Sequence, residues 1–218
     1  MGYTGDVEVG GPADVRELPG LTISKLAVSE MANNAYLLRD PDTGEALLID
    51  AAAEPEALRA LVGDADVRTV VTTHGHWDHH RALPEVVEAT GAVTVAHPAD
   101  ADDLPVPVQR PVDHGDTVRV GGQTLEVVHL RGHTPGSIAL VWRGPGGAGT
   151  HLFTGDSLFP GGPGRTTSPE DFGSLMDDLE ARVFGQFGDD TWFYPGHGKD
   201  STLGAERPHL AEWRTRGW

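Results

Sequence analysis

The stretch Thr73-His74-Gly75-His76-Trp77-Asp78-His79 decides how this chain folds and where its chemistry lies. It follows residues 67–72, a short run rich in β-branched residues that is typical of a buried strand. Three imidazoles and one carboxylate stand within residues 74–79, which a shuffled chain of this composition would show roughly once in 400 trials. Histidines that carry charge repel one another, so such a cluster needs a reason to form. We expect this stretch to bind metal.

Three later loops have the same arrangement, in which an apolar strand ends and a glycine-containing loop carries His or Asp. They contain His133 after strand 124–130, Asp156 after strand 150–154, and His197 after strand 191–194. Loops at strand ends can converge on one edge of a sheet, where ligand sites gather. Glycine lets the backbone turn sharply and approach a bound ion closely. The sequence therefore predicts that four distant loops meet at one site.

The residue types restrict the metal chemistry. The chain has no cysteine, so any metal must be bound by histidine and carboxylate. This donor set suits zinc, with iron or manganese as alternatives. The four potential ligands of residues 74–79 cannot all reach one ion comfortably. We therefore expect two divalent metal ions that share a carboxylate bridge.

Composition excludes several classes of partner. The 218 residues include 33 acidic and 16 basic side chains, a formal charge of −17, which disfavours nucleic acid and anionic membranes. The N-terminus lacks a basic start and an apolar segment, and no apolar stretch approaches the roughly 20 residues that span a bilayer. We expect a cytoplasmic protein without a leader that acts on a small-molecule substrate. The sequence specifies no oligomeric state.

Strands and helices are mixed along both halves of the chain, which predicts one layered α/β domain over residues 1–218. Predicted strands cover 21–28, 35–39, 46–50, 67–72, 92–96, 117–120, 124–130, 137–142, 150–154 and 191–194. Predicted helices cover 55–62, 80–90 and 168–183, with partial helix after residue 201. Residues 1–20 are expected to be a loose lead-in and residues 98–113 mostly loop.

The chain resembles the metallo-β-lactamase superfamily, and within it the glyoxalase II group of thioester hydrolases, especially the short bacterial members. The matching segments lie between about residue 21 and residue 205. They are Asn33-Asn34-Ala35-Tyr36-Leu37-Leu38, Leu48-Ile49-Asp50, the stretch 73–79, Gly132-His133-Thr134-Pro135-Gly136-Ser137, Thr154-Gly155-Asp156-Ser157-Leu158-Phe159, Gly164-Arg165-Thr166 and Tyr194-Pro195-Gly196-His197-Gly198.

This resemblance implies a four-layer αβ/βα sandwich with the site at one edge of two sheets. It implies that the first ion is held by His74, His76 and His133, and the second by Asp78, His79 and His197. Asp156 and a hydroxide would bridge the two ions, with Asp78 and Asp156 positioning that hydroxide. Asp50 would orient a ligating histidine through its other nitrogen.

The chain also departs from glyoxalase II. Thr167 stands where the family usually has aspartate, and the long C-terminal helical domain is expected to be absent because 21 residues follow His197. Arg165 is a candidate for binding an anionic substrate group or for a structural hydrogen bond. Lys199 is a candidate for substrate contact or a solvated side chain.

The expected reaction is hydrolysis of thioesters of low-molecular-weight thiols. Metal ions lower the pKa of bound water from about 16 to about 7, which makes hydroxide available at neutral pH. A thiolate leaves readily because a thiol has a pKa of about 8.5, whereas an amide would need an acid that the sequence does not show. The expected enzyme is thus a metallo-hydrolase resembling hydroxyacylglutathione hydrolase.

Two alternatives remain open at this stage. A persulfide dioxygenase would bind one iron through His74, His133 and Asp156, and other hydrolases of the superfamily, such as lactonases, would use both ions. A β-lactamase is disfavoured without a signal peptide, and a nuclease is disfavoured by the negative charge. The remaining histidines are expected to be structural or at the surface: His80, His97, His114, His129, His151 and His209. Tyr36 and Trp77 are expected in the core.

Overall fold

A seven-stranded sheet forms the first half of the chain in the computed structural model, which describes residues 2–217. Its strands, β1 to β7, pair in chain order, antiparallel from β1 to β4 and parallel from β4 to β7. They span Asp14–Leu18, Leu21–Val28, Asn33–Arg39, Glu45–Ile49, Asp66–Val71, Val93–Ala96 and Arg110–Pro111.

A six-stranded sheet forms the second half, in the order β15-β14-β11-β10-β9-β8. Its strands are β8 Thr117–Val120, β9 Gln123–His129, β10 Ile138–Gly144, β11 Gly149–Gly155, β14 Trp192–Pro195 and β15 Ser201–Thr202. Among the described strands of this second sheet, only β11 and β14 pair in parallel. A small hairpin of β12 (Leu158–Phe159) and β13 (Gly162–Pro163) lies between β11 and the next helix.

The α-helices within residues 2–217 are α1 Pro55–Val62, α2 Leu83–Thr90, α3 Pro169–Asp178, α4 Leu203–Glu206 and α5 Leu210–Arg216. Short 3₁₀ turns cover Trp77–His79, Pro98–Asp103 and Arg207–His209, and a π-helical turn continues α3 over Leu179–Phe184. The start of α3 is capped by the Ser168 hydroxyl, which accepts the Asp171 amide. No helix among the described residues has the length and hydrophobicity to cross a bilayer.

Three apolar layers separate the elements, which gives the four-layer αβ/βα sandwich. Alternate residues of one strand enter different layers: on β3, Tyr36 and Leu38 face the central layer between the sheets, whereas Ala35 and Leu37 face α1 and α2. On β11, Phe153 joins the central layer and Leu152 packs toward α3. The predicted fold class is therefore confirmed.

The structure corrects several predicted boundaries. Residues 1–20 are not wholly a loose lead-in, because β1 pairs with β2 over Asp14–Leu18. This edge strand has no fully buried residue, so its apolar pattern is weak. The helix expected from residue 80 begins at Leu83, since residues 77–79 form a 3₁₀ turn, and the helix expected to reach residue 183 is α-helical only to Asp178.

Candidate metal centre

The loops that follow β5 and β9 bring together one group of three histidines. His74 and His76 follow β5, and His133 follows β9. The Nε2 atoms of His74 and His133 are 3.3 Å apart. The His76 ring centroid lies 4.9 Å from that of His74 and 4.5 Å from that of His133. These three side chains could hold one metal ion.

A second group lies beside the first. Asp78 and His79 are on the 3₁₀ turn after β5, and His197 follows β14. His79 Nε2 is 3.2 Å from His197 Nε2, and Asp78 Oδ2 is 3.6 Å and 3.5 Å from these two atoms. This group could hold another ion.

Asp156, directly after β11, faces both groups. Its Oδ2 lies 3.7 Å from His133 Nε2 and 3.5 Å from His197 Nε2, and its Oδ1 lies 3.4 Å from His79 Nε2. Oδ1 is buried and has no hydrogen-bond partner among the residues that the structure describes. A buried carboxylate oxygen is costly unless a donor or a cation lies nearby. Asp156 therefore lies where its two oxygens could bridge two ions.

Backbone carbonyls fix the orientation of two of these imidazoles. His133 Nδ1 donates to the Arg165 carbonyl at 2.7 Å, and His197 Nδ1 donates to the Met31 carbonyl at 3.0 Å. A carbonyl only accepts, so each Nδ1 carries a proton, and Nε2 is the nitrogen that faces the centre. Arg165 thus acts on His133 through its backbone, while its side chain is exposed.

Asp50 fixes the orientation of two further imidazoles, those of His79 and His74. Its Oδ2 accepts from His79 Nδ1 at 2.9 Å and from the Thr73 hydroxyl at 2.8 Å. Because that hydroxyl donates to Asp50, its oxygen accepts from His74 Nδ1 at 3.0 Å. The Thr73 amide donates to Asp50 Oδ1 at 2.8 Å. The predicted orienting role of Asp50 thus reaches two histidines, one of them through Thr73.

This arrangement fits metal ions. In each group, the Nε2 atoms of two histidines lie 3.2–3.3 Å apart. Two nitrogens bound tetrahedrally to one zinc ion at about 2.0–2.1 Å lie about 3.3 Å apart. The observed spacing is therefore that of ligands around an ion.

The electrostatics of the centre also favour cations. Burial lowers the pKa of His74 and of His133, which keeps both imidazoles neutral. Burial alone would raise the pKa of Asp156, but the neighbouring His197 and His79 hold it well below its ordinary value. Burial opposes charge on His79 and His197, yet the carboxylates they contact raise their pKa values to about 10 and about 9. Protons occupy these nitrogens until a metal ion displaces them.

Glycine is required where the His197 loop passes the centre. A Cβ built on Gly196 would clash with Asp156 Oδ1 and would lie 2.7 Å from His79 Cε1. Both neighbours are buried groups of the centre, so neither can move aside without loss of geometry. A residue larger than glycine at position 196 would therefore collide with the centre.

Two supporting residues were not singled out by the sequence analysis. Asn33 Nδ2 donates to Asp78 Oδ2 at 2.8 Å. Asp100, in a segment expected to be loop, accepts from the Gly75 amide at 2.8 Å and the Gly136 amide at 2.7 Å. Asp100 thus joins the loop of His74 and His76 to the loop of His133. No sequence signal marks it, because its partners are distant in the chain.

The other candidate positions divide between surface and core. Lys199 Nζ pairs with Asp6 at 2.8 Å, and its side chain is 70% exposed. Trp77 is 56% exposed and stacks on Arg81, so the expectation that it lies in the core was wrong. Tyr36 is buried as expected, and its hydroxyl donates to the Pro195 carbonyl.

A cleft of about 480 Å³ opens beside His76 and His133. Its wall includes Asp103, Thr167 and Arg131. The Arg131 guanidinium is bound to the Asp178 carboxylate at 2.7 Å, so it is not a free anion-binding group. This cleft gives small molecules access to the first ligand group.

His97, Asp113 and His129 form another cluster, whose geometry does not suit a metal ion. The rings of His97 and His129 are stacked, with centroids 4.0 Å apart and planes inclined by 27°. Nearly parallel rings cannot both point a nitrogen lone pair at one ion. The His97 Nδ1 also accepts the Ala99 amide, which fixes the proton on Nε2.

Comparison with known proteins agrees with this geometry. Residues 28–197 match the family model described as the metallo-beta-lactamase superfamily. A hydroxyacylglutathione hydrolase of Jannaschia sp. is 40% identical over 134 residues, which cover 61% of this chain and 50% of that protein. The chain thus spans about half the length of this relative.

Solved structures share the fold. ETHE1 from Myxococcus xanthus superposes with a TM-score of 0.75 and 30% identity, covering 88% of this chain and 84% of that one. A protein crystallised in a di-iron-bound form gives a TM-score of 0.68 and 32% identity, covering 84% and 96%. Together with the ligand groups around Asp156, these matches show that the chain belongs to the metallo-beta-lactamase superfamily.

Proposed function

We propose that this protein hydrolyses thioesters of low-molecular-weight thiols by means of two divalent metal ions. The observation that carries the proposal is the position of Asp156 between two complete three-residue ligand groups. His74, His76 and His133 would hold one ion, and Asp78, His79 and His197 the other. The similarity to hydroxyacylglutathione hydrolase over 61% of the chain supports the choice of thioesters.

When bound, the ions supply water of lowered pKa and a Lewis acid for a carbonyl oxygen. The protein holds the reactants around them. Asp78 and Asp156 stay ionised, because hydrogen bonds from the neighbouring histidines lower their pKa values despite burial. Both carboxylates can therefore accept a hydrogen bond from an attacking water and orient it toward the substrate carbonyl.

The leaving group explains the preference for thioesters over amides. An amine must be protonated as it leaves, and the imidazoles among the described residues of the cleft, His76 and His133, are both assigned to metal in this proposal. A thiolate needs little protonation, since thiols have a pKa of about 8.5. The cleft beside His133 would then receive the thiol part of the substrate.

Zinc is the proposed metal, because it suits imidazole and carboxylate ligands without thiolate. Iron and manganese remain alternatives, and a structural relative that is 32% identical was crystallised with two irons. Elemental analysis of the purified protein identifies the metal.

The competing activity is that of a persulfide dioxygenase with one iron. Such an enzyme would use His74, His133 and Asp156 and leave the second group without a role. Here Asp78 is held by Asn33, and His79 by Asp50. A second group with its own supporting contacts favours two ions.

Elemental analysis of the purified protein, beside thioester hydrolysis with and without a chelator, tests the proposal. We expect about two ions per chain and hydrolysis of an acylated small thiol that stops on chelation and returns with zinc. Oxygen consumption with a persulfide and one iron per chain would establish the competing activity. Two ions without thioester hydrolysis would leave the centre standing and refute the substrate class.

A further inference from the structure

A buried ion pair lies behind the His197 loop. The Lys25 ammonium, on β2, is fully buried, and its partner Asp200 has a side chain that is 1% exposed. Lys25 Nζ donates to Asp200 Oδ1, the Gly198 carbonyl and the Gly5 carbonyl, each at 2.7 Å. An ammonium has three protons, so every donor is satisfied. Such a charge is costly to bury and is tolerated only with this complete set of partners.

Two of these partners belong to the loop that carries His197. Gly198 follows the histidine directly, and Asp200 lies two residues further on. The other side of the loop is held from β3, where Asn34 Nδ2 donates to the carbonyls of Pro195 and Gly198, both at 2.9 Å. Lys25 and Asn34 therefore meet at the Gly198 carbonyl and fix the backbone on which His197 stands.

Residues 3–6, here called the N-terminal strap, close this arrangement from outside. The Tyr3 hydroxyl donates to Asp200 Oδ2 at 2.5 Å, and the Gly5 carbonyl is the third acceptor for Lys25. A Cβ built on Gly5 would lie 2.8 Å from Asp200 Cγ, so the strap passes directly over the carboxylate. The strap is itself held, because Asp14 Oδ2 accepts the amides of Thr4 and Gly5.

Among the described residues, the strap and its ion pair form hydrogen bonds with one of the four ligand loops, that of His197. The other ligands of the second group, Asp78 and His79, stand on the turn after β5 and are held by Asn33 and Asp50. No hydrogen bond within residues 2–217 joins Lys25 or Asp200 to the loops of the first group. A disturbance of the strap should therefore reach one ion through His197 and spare the other.

We propose that Lys25 is a positioning residue which, with Asp200 and the N-terminal strap, sets the affinity of the second metal site by holding the His197 loop. This inference rests on the two-ion centre of the proposed function but not on the thioester substrate. A protein that binds two ions and hydrolyses no thioester would leave it intact.

Zinc titration of the apoprotein against a chromogenic chelator measures the two stepwise affinities. A His197→Ala variant identifies which affinity belongs to the second site. We expect Lys25→Met to weaken that affinity at least tenfold and to leave the other within twofold. Tyr3→Phe removes one hydroxyl from the same hydrogen-bond network and should weaken the zinc affinity of the second site several-fold. Arg59→Met, which removes the cation of an exposed ion pair on α1, should leave both affinities unchanged.

Circular dichroism and thermal unfolding show whether each variant is folded. Lys25→Met leaves Asp200 buried without a cation, so it can fail to fold. Tyr3→Phe then decides the question, because it keeps both charges and removes only a donor. Wild-type affinities in folded Lys25→Met would overturn the proposal, and where Lys25→Met does not fold, wild-type affinities in Tyr3→Phe would overturn it. An equal loss at both sites would overturn it as well, since it would indicate general loosening instead of positioning of His197.

Discussion

Replacement of Asp50 by asparagine should disturb the metal centre without disturbing the backbone. Asp50 has a φ of 58°, in the left-handed region, which asparagine tolerates better than most residues. An amide in place of the carboxylate presents either NH₂ or oxygen at the position of Oδ2. If the NH₂ group takes the position of Oδ2, His79 Nδ1 must become an acceptor, and its proton moves to Nε2, where the ion would bind. If the amide oxygen takes the position of Oδ2, the NH₂ group lies at the position of Oδ1. It then faces the Thr73 amide at 2.8 Å, which places two donors against each other.

The size of the effect follows from the two bonds to Oδ2. His79 donates to it at 2.9 Å and the Thr73 hydroxyl at 2.8 Å. A hydrogen bond to a charged group contributes about 1.5–3 kcal/mol. Loss of an outer partner of a ligating histidine typically lowers metal affinity about 10- to 100-fold, which is about 1.4–2.7 kcal/mol. Both estimates predict a loss of one to two orders of magnitude for the second site.

Zinc titration against a chromogenic chelator measures this loss directly. Asp40→Asn is the matched control, because Asp40 is a buried turn aspartate that also accepts backbone amides, those of Asp42 and Gly122. We expect wild-type zinc affinities for the control. Unchanged affinities in folded Asp50→Asn would refute the orienting role argued for Asp50.

Three more predictions concern the centre and the core. Asp156→Ala should remove most bound metal and activity together, and unchanged metal content by elemental analysis would contradict its bridging position. Gly196→Ala should lower zinc affinity at least tenfold, because its methyl group enters the space of Asp156; Gly173→Ala, which meets open space in α3, should bind zinc normally. Burial lowers the pKa of His151 from 6.5 to about 4. Between these values the unfolded chain binds a proton that the folded chain does not, so stability is lost as the pH falls from 6.5 toward 4. The loss reaches roughly 3 kcal/mol, and urea unfolding of His151→Phe should show a correspondingly flatter pH dependence.

The candidate site could be predicted because each ligand is marked by the sequence immediately around it. His74, His133, Asp156 and His197 each stand directly after an apolar strand, in a loop that contains glycine. The types of residue limit the chemistry, and the strands before them limit the geometry. The structure brings all seven predicted ligands into adjacent groups, while their occupation by metal stays a prediction.

The supporting residues could not be predicted because their partners are distant in the chain. Asp100 lies 25 residues from Gly75 and 36 from Gly136. Lys25 stands in an alternating strand whose pattern predicts a solvent-exposed face, yet it is fully buried. Its burial depends on the His197 loop and the N-terminal strap, which the pattern of β2 does not contain. Such contacts arise from tertiary structure alone.

The order of the strands has a consequence for the synthesis of this protein. The first sheet is complete at Pro111 and pairs every strand with its neighbour in the chain, but its inner face is covered only when the second sheet packs against it. The loop after β5 supplies four of the proposed ligands, and the remaining histidines, His133 and His197, belong to the second half of the chain. Neither ion has a complete set of donors on the nascent first half. Each proposed ion would therefore find its full set of donors only after the second half has folded against the first.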